Sequence, residues 1–156
     1  MLGRNYESQI CSVARTLEVV GERWTLLIVR DALLGLRRFE DFQDDLGVAR
    51  NVLADRLRRL VEHGILERVR YQERPERFEY QLTERGRELM MVVFALMHWG
   101  DRHLAGPEGL PRLTQHAGCG GSVEERHVCS RCGSVLEPRD IDVLPGPALT
   151  ATQPAG

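Results

Sequence analysis

Arg50-Asn51-Val52-Leu53-Ala54-Asp55-Arg56-Leu57-Arg58-Arg59-Leu60-Val61-Glu62-His63 carries its leucines at the spacing of one helix face. Leu53, Leu57 and Leu60 fall on that face, Val61 widens it, and Gly64 ends the helix. Opposite them stand Asn51, Asp55 and Arg58, flanked by Ala54 and Arg59. Arg56 leans toward the apolar stripe, where a salt bridge to the second or third helix competes with a role at the surface. A helix with one apolar stripe needs neighbours to cover it, so the flanking segments decide its setting.

Upstream, Ser12–Val20 reads as a first helix with Val13, Leu17 and Val20 on one side, broken by Gly21. Glu22–Leu34 reads as a second, from the recurrence of Trp24, Leu27, Ile28 and Leu34, closed by Gly35 as a C-cap. Phe39–Leu46 is a short third helix with Phe39, Phe42 and Leu46 inward and four acids outward, and Gly47-Val48 makes a tight turn. Downstream, Ile65–Tyr71 and Arg77–Leu82 read as strands, the second with Phe78, Tyr80 and Leu82 alternating. Gln72-Glu73-Arg74-Pro75-Glu76 is the polar loop between them. Thr83 is a credible N-cap for a long last helix, Glu84 to about Leu104. From Ala105 the sequence turns Gly- and Pro-rich.

Three helices, a turn, a fourth helix and a hairpin make a winged helix-turn-helix. The expected fold is mainly α with a small β-hairpin, followed by a small Cys/His-rich module. The expected division is 8–104 for the winged helix, 105–144 for the module and 145–156 for a disordered tail. A helix of this kind fits the DNA major groove and presents its outward side chains to base edges. Asn51 sits in the first turn and can pair bidentately with adenine, with Ala54 and Asp55 beside it on the same surface. Arg58 and Arg59 suit phosphates, Arg50 suits either, and Arg74 and Arg77 on the hairpin reach backbone or minor groove as wings do.

Composition sets limits on this reading. The 156 residues carry a net charge of −2, which argues against a globally basic nucleic-acid binder. All 21 basic residues are arginine, a bias that a GC-rich genome also produces. Charges balance as far as Leu104 and the tail carries the acidic excess, while Arg50–Arg77 holds eight arginines against five acids. DNA binding would therefore rest on a local patch. No apolar stretch is long enough for a membrane span and Met1–Ile10 shows no export signal, so a cytoplasmic protein is expected. Nothing resembles a phosphate loop, an acid/base cluster or an open catalytic metal motif, so no enzyme is expected.

Cys11, Gly21-Glu22-Arg23-Trp24-Thr25-Leu26-Leu27-Ile28, Gly35-Leu36-Arg37-Arg38-Phe39, Asn51–Leu60, Tyr71 with Arg74-Pro75, and Tyr80-Gln81-Leu82-Thr83-Glu84-Arg85-Gly86 resemble the HxlR-type regulators. The resemblance covers roughly Cys11–Leu104. It implies a homodimeric winged-helix transcriptional regulator, most often a repressor, on near-palindromic double-stranded DNA. It places Arg37 and Arg38 among the DNA-facing candidates, and the family includes sensors of oxidants and electrophiles, so such a compound or another small-molecule effector is expected. Two positions depart from the pattern. Val48-Ala49 stands where Ile-Ser often opens the recognition helix, and losing a Ser cap typically costs about 1 kcal/mol. Ser12 replaces the proline that commonly follows the first cysteine. A winged-helix adaptor that docks a protein without specific DNA binding is the alternative.

Leu89–Met97 is apolar without interruption inside a helix, more than one covered face needs. The resemblance implies that this helix pairs with its copy and with the first helix of the other subunit, which makes Val13, Leu17, Val93, Met97 and Trp99 interface candidates; the tail covering that face is the alternative. Cys11, ahead of the first helix, is the redox or effector candidate, set against a role as a buried small hydrophobe. In the tail, His116-x2-Cys119-Gly-Gly and Cys129-x2-Cys132-Gly resemble the paired knuckles of a zinc ribbon. Four soft or borderline ligands in two close pairs suit tetrahedral, structural zinc, with His127 able to replace His116. A metal-free tail and a Cys129–Cys132 disulfide remain open beside it.

Overall fold

The computed structural model describes Tyr6 and residues 9–150. It divides into two compact units, one ending at Met97 and one starting at His98. The first contains α1 (Ser12–Val20), α2 (Thr25–Leu33), α3 (Phe39–Leu46), α4 (Arg50–Glu62), the strands β1 (Leu66–Glu73) and β2 (Glu76–Leu82), α5 (Glu84–Glu88) and the start of α6 (Met90–Leu104). The second contains the end of α6, a hairpin of β3 (His127–Val128) and β4 (Val135–Leu136), a 3-10 turn at Pro138–Asp140 and α7 (Pro147–Thr150). The texture change at Ala105 coincides with the end of α6, while the compact units part at Met97. Ser8, taken as the start of the first domain, lies outside the described residues. In the stretch expected to be a disordered tail, residues 147–150 form α7, and 151–156 lie outside the described residues.

The core follows from the leucine stripe of α4. Leu53 and Leu57 are fully buried and Leu60 nearly so, against Ile28 and Val29 of α2, Phe42 of α3, and Ile65 and Leu66 at the start of β1. Each such side chain contributes roughly 1.5–3 kcal/mol on burial, so this cluster holds the three helices in one arrangement. Gly64 ends α4 at φ 66°, a left-handed turn in which its N–H donates to the Val61 carbonyl and that of Ile65 to the Leu60 carbonyl, both at 2.9 Å. The same pair of bonds closes α2 at Gly35. The reversal at Gly64 sends the chain directly into β1.

The hairpin is antiparallel, with Leu66 opposite Leu82 and Glu73 opposite Glu76. A bulge between Arg70 and Gln72 leaves Tyr71 out of register. The Tyr80 N–H donates to the Arg37 carbonyl at 2.7 Å, which ties the wing to the link between α2 and α3. Thr83 caps α5, its hydroxyl accepting from the Gly86 N–H at 3.0 Å and donating to the Gly64 carbonyl at 2.6 Å. Gly86 packs so tightly that a Cβ there would lie 2.1 Å from the Ile65 carbonyl oxygen.

Three elements differ from the sequence expectation. The second helix starts at Thr25 rather than Glu22, because Trp24 adopts a left-handed backbone (φ 78°) that residues 22–24 reach through a turn. For a bulky residue that conformation is strained. The strands are longer than expected, and Gln72, Glu73 and Glu76 pair within them, leaving only Arg74-Pro75 as the turn. The last helix breaks at Leu89, whose N–H bonds three residues back to the Gly86 carbonyl between α5 and α6.

One buried charge accompanies the core. Asp31 of α2 is 1% exposed and accepts from Arg30 Nε at 2.7 Å, while Arg30 also reaches Asp45 of α3 at 3.1 Å. The second Asp31 carboxylate oxygen has no hydrogen-bond partner among the described residues. Burial pushes the Asp31 carboxyl above its ordinary value of 3.8; Arg30 opposes that shift, and the Asp45 charge adds to it.

Candidate functional site

Because α4 turns its leucines inward, the opposite residues are presented together. Asn51, Ala54, Arg58 and Arg59 are exposed and Asp55 is half-buried among them. The Asn51 side chain has no hydrogen-bond partner among the described residues, so both ends of its amide are available. Ala49 is the N-cap residue of α4 and makes no side-chain cap bond, which leaves the first amides of the helix without that partner.

The arginines behind Asn51 are held by acids. Asp55 Oδ1 lies 2.6 Å from Arg58 Nη2, and Asp55 Oδ2 lies 3.0 Å from Arg56 Nη1 and 3.2 Å from Arg59 Nε. Arg58 also reaches Glu62 at 2.6 Å, and Arg56 reaches Glu22, just ahead of α2, at 2.9 Å. The Arg58 hydrogen bond, with the charges of Arg59, Arg58 and Arg56, holds the Asp55 carboxyl below its usual range. Glu62 and Asp55 in turn keep Arg58 more firmly charged. Arg56 thus makes the intramolecular bridge that its lean toward the stripe allowed.

Around α4 the other candidate cations fall into two groups. Arg50 lies over the Phe39 ring at 4.6 Å and Arg38 over the Tyr71 ring at 5.0 Å, and Arg37 approaches Glu79 at 3.9 Å. At the hairpin, Arg74 in the turn and Arg77 on β2 are exposed, with no ion pair among the described residues. The structure therefore supplies one uncommitted amide on the helix and two uncommitted guanidinia on the wing. Phe39, Tyr71, Glu62 and Glu79 escaped the sequence reading as partners of this surface.

The candidate interface residues divide as well. Val13 (67% exposed) and Leu17 lie open on α1, and Trp99, tilted against His103, is exposed on α6. Val93 instead packs against the core, and Met97 is half-buried. Met90, Met91, Val92 and Leu96 are exposed, and no residue of α6 is buried. Cys11 is the exposed N-cap residue of α1 and its thiol is free.

In the second unit the two Cys-containing motifs form separate tight turns. His116 Nδ1 and Cys119 Sγ are 3.1 Å apart, and Cys129 and Cys132 flank the turn that β3 and β4 close. Cys132 Sγ lies 3.3 Å from Ser134 Oγ, and hydrogen bonding with Ser134 and Cys129 pulls the Cys132 thiol down to about 7. His127 stands on β3 opposite Leu136 and is exposed. Among the described residues no group of three or more His, Cys, Asp or Glu side chains meets as a metal site, so the structure shows two pairs.

Residues 19–107 match the model of the HxlR-like helix-turn-helix family. The chain belongs to this family. An HTH-type transcriptional regulator of Mycobacterium tuberculosis, Rv3095, is 46% identical over 150 residues, covering 96% of this chain and 94% of that protein. The crystal structure of PA1607, a candidate transcription factor, superimposes with a TM-score of 0.78 at 40% identity, covering 88% of this chain and 96% of that one. The redox regulator HypR in its reduced form is similar with a TM-score of 0.56 at 32% identity, covering 59% of this chain and 92% of HypR. HxlR-like proteins are DNA-binding transcriptional regulators and not enzymes. The Rv3095 match extends through most of the tail, whereas the likeness to HypR leaves out about two fifths of this chain. No helix among the described residues is long and apolar enough to cross a membrane.

Proposed function

We propose that this HxlR-like regulator is a sequence-specific, homodimeric repressor that reads bases with Asn51 and grips the backbone with Arg74 and Arg77. The observation that carries this reading is the contrast on one surface: the Asn51 amide and the wing guanidinia are exposed and uncommitted, while Arg58 and Arg59 are neutralised by Asp55 and Glu62. A free amide at the start of a helix matches adenine in the major groove. Free wing arginines add phosphate contacts that fix register and carry no sequence information. Arg58 and Arg59 reach phosphate by exchanging a carboxylate for it, a smaller gain than that of an unpaired cation.

The dimer is supported by the apolar side chains that α1 and α6 leave in water: Val13, Leu17, Met91, Leu96 and Trp99 are all exposed in the single chain. A second copy covers them and sets two reading helices about one DNA turn apart. Cys11, exposed at the start of α1, is the thiol through which an oxidant or electrophile would alter that pairing. The likeness to HypR supports this role.

The test is a mobility shift with DNA from upstream of the chain's own gene. Binding should weaken steeply between roughly 50 and 200 mM salt. Asn51→Ala should lose discrimination between that DNA and a scrambled version, while Arg74→Ala should weaken both alike. No shift at low salt from a folded dimer removes the DNA reading, and equal effects of the two changes overturn the division of roles. Loss of regulation by diamide in Cys11→Ser supports the thiol, and an unchanged response excludes it.

A further inference from the structure

The second unit lacks what holds the first together. Between Ala105 and Thr150 no residue is buried, and only Thr114, Cys129 and Leu136 reach half-burial. Fewer than about 40–50 residues rarely fold on an apolar core alone and usually rely on a disulfide, a metal or a partner chain. All three cysteines of this unit are free thiols.

The unit is nevertheless ordered into two turns with the same backbone hydrogen bonding. In the first, the His116 N–H donates to the Gly121 carbonyl and the Gly120 N–H to the His116 carbonyl, both at 2.8 Å. In the second, the Cys129 N–H donates to the Ser134 carbonyl and the Gly133 N–H to the Cys129 carbonyl, both at 2.9 Å. Numbered from the first side chain of each motif, the bonds join the same positions. The glycine after the second motif residue is left-handed in both, at φ 72° for Gly120 and 73° for Gly133. A short antiparallel pairing closes each turn, Gln115 with Ser122 in one and Val128 with Val135 in the other. The residues inside the two turns differ (Ala117-Gly118 against Ser130-Arg131), so the shared backbone does not come from them. What they share is a donor side chain at the first and fourth positions and glycine at the fifth.

We propose that these turns are two halves of one tetrahedral zinc site, with His116, Cys119, Cys129 and Cys132 as ligands, closed when the ion draws the halves together. Three thiolates and one imidazole are a soft-to-borderline set that favours zinc over magnesium or calcium. Ligand bonds of about 2.0 Å to nitrogen and 2.3 Å to sulfur at the tetrahedral angle put two donors roughly 3.6 Å apart. His116 Nδ1 and Cys119 Sγ, at 3.1 Å, are already close to that spacing. The choice between histidines falls on His116: it occupies the position in its turn that Cys129 occupies in the other, whereas His127 is paired along β3. Gly118 serves the same half-site, because a Cβ there would lie 2.9 Å from the His116 ring. The site has no vacant position for substrate, so its role is to order the tail.

The full chain, purified under reductant without chelator, should contain about one zinc per chain by elemental analysis. Cobalt(II) added to the metal-stripped chain should give the intense visible bands of tetrahedral coordination together with sulfur-to-cobalt charge transfer. His116→Ala, Cys119→Ser, Cys129→Ser and Cys132→Ser should each abolish that spectrum, while His127→Ala and Cys11→Ser keep it. Far-ultraviolet circular dichroism and the melting of the winged helix, both preserved in the four tail variants, separate loss of a ligand from loss of the fold. A reduced chain that binds no metal and shows no tetrahedral cobalt bands overturns the site, as does a non-reduced mass lighter by the two hydrogens of a Cys129–Cys132 disulfide. Bands lost in His127→Ala and kept in His116→Ala overturn the ligand assignment.

Discussion

The winged helix and the tail obtain order from different sources. In the first unit Phe42, Leu53 and Leu57 are sealed from water, and three helices pack around them. In the second, strands of two residues and repeated turns are fixed by backbone hydrogen bonds, and the side chains remain in solvent. The difference shows that regular backbone geometry alone does not reveal what stabilises a segment; burial does. It also means that mutations of one type should have unequal consequences in the two regions.

The sharpest way to break this contrast is to truncate a side chain in each. Phe42→Ala should destabilise the winged helix by about 3–5 kcal/mol in urea unfolding. A loss under about 1 kcal/mol would show that the core is not the organising element. Gly86→Ala tests packing at the point where α5 presses on the strand start, and should cost about 1–3 kcal/mol because the new Cβ meets backbone rather than a flexible side chain.

Asp31 gives a pH test of the same unit. Its carboxyl is raised above 3.8 mainly by burial, so the folded chain holds that proton more tightly than the unfolded chain. The stability it contributes is fully present below about pH 3.8 and is lost as pH rises through the raised value. Relative to Asp31→Asn, wild-type urea midpoints should therefore fall across that window; a flat difference would sink the assignment. The smallest effect belongs to the tail. Leu136→Ala should leave the melting of the winged helix within about 0.5 kcal/mol of wild type.

Much of the first unit was legible because its signals are periodic or steric. Leu53, Leu57 and Leu60 announced α4, Gly35 and Gly64 announced the ends of α2 and α4, and Thr83 announced a cap. Trp24 was misread as helical because its spacing fits a helix and nothing in one dimension marks a left-handed tryptophan. Gln72, Glu73 and Glu76 read as loop because a protruding wing is wet on both faces, so its tip shows no alternation. The break at Leu89 carries neither glycine nor proline. At the reading surface the positions were visible, but the carboxylates restraining Arg58 and Arg59 depend on rotamers, and rotamers depend on the packed helix beneath. In the tail the spacing of the His and Cys pairs could be read directly, whereas the matching turns could not.

Ala49 has a consequence for the timing of recognition. A hydroxyl at that position typically strengthens a helix start by about 1 kcal/mol, roughly a fivefold change in how often the first turn opens. Without it, the amide hydrogens of Arg50, Asn51 and Val52 exchange with water faster than those deeper in α4. The residue assigned to read the base thus stands on a first turn whose amides have no side-chain acceptor. An acceptor arriving there would take the place of the missing oxygen and bond those free amides.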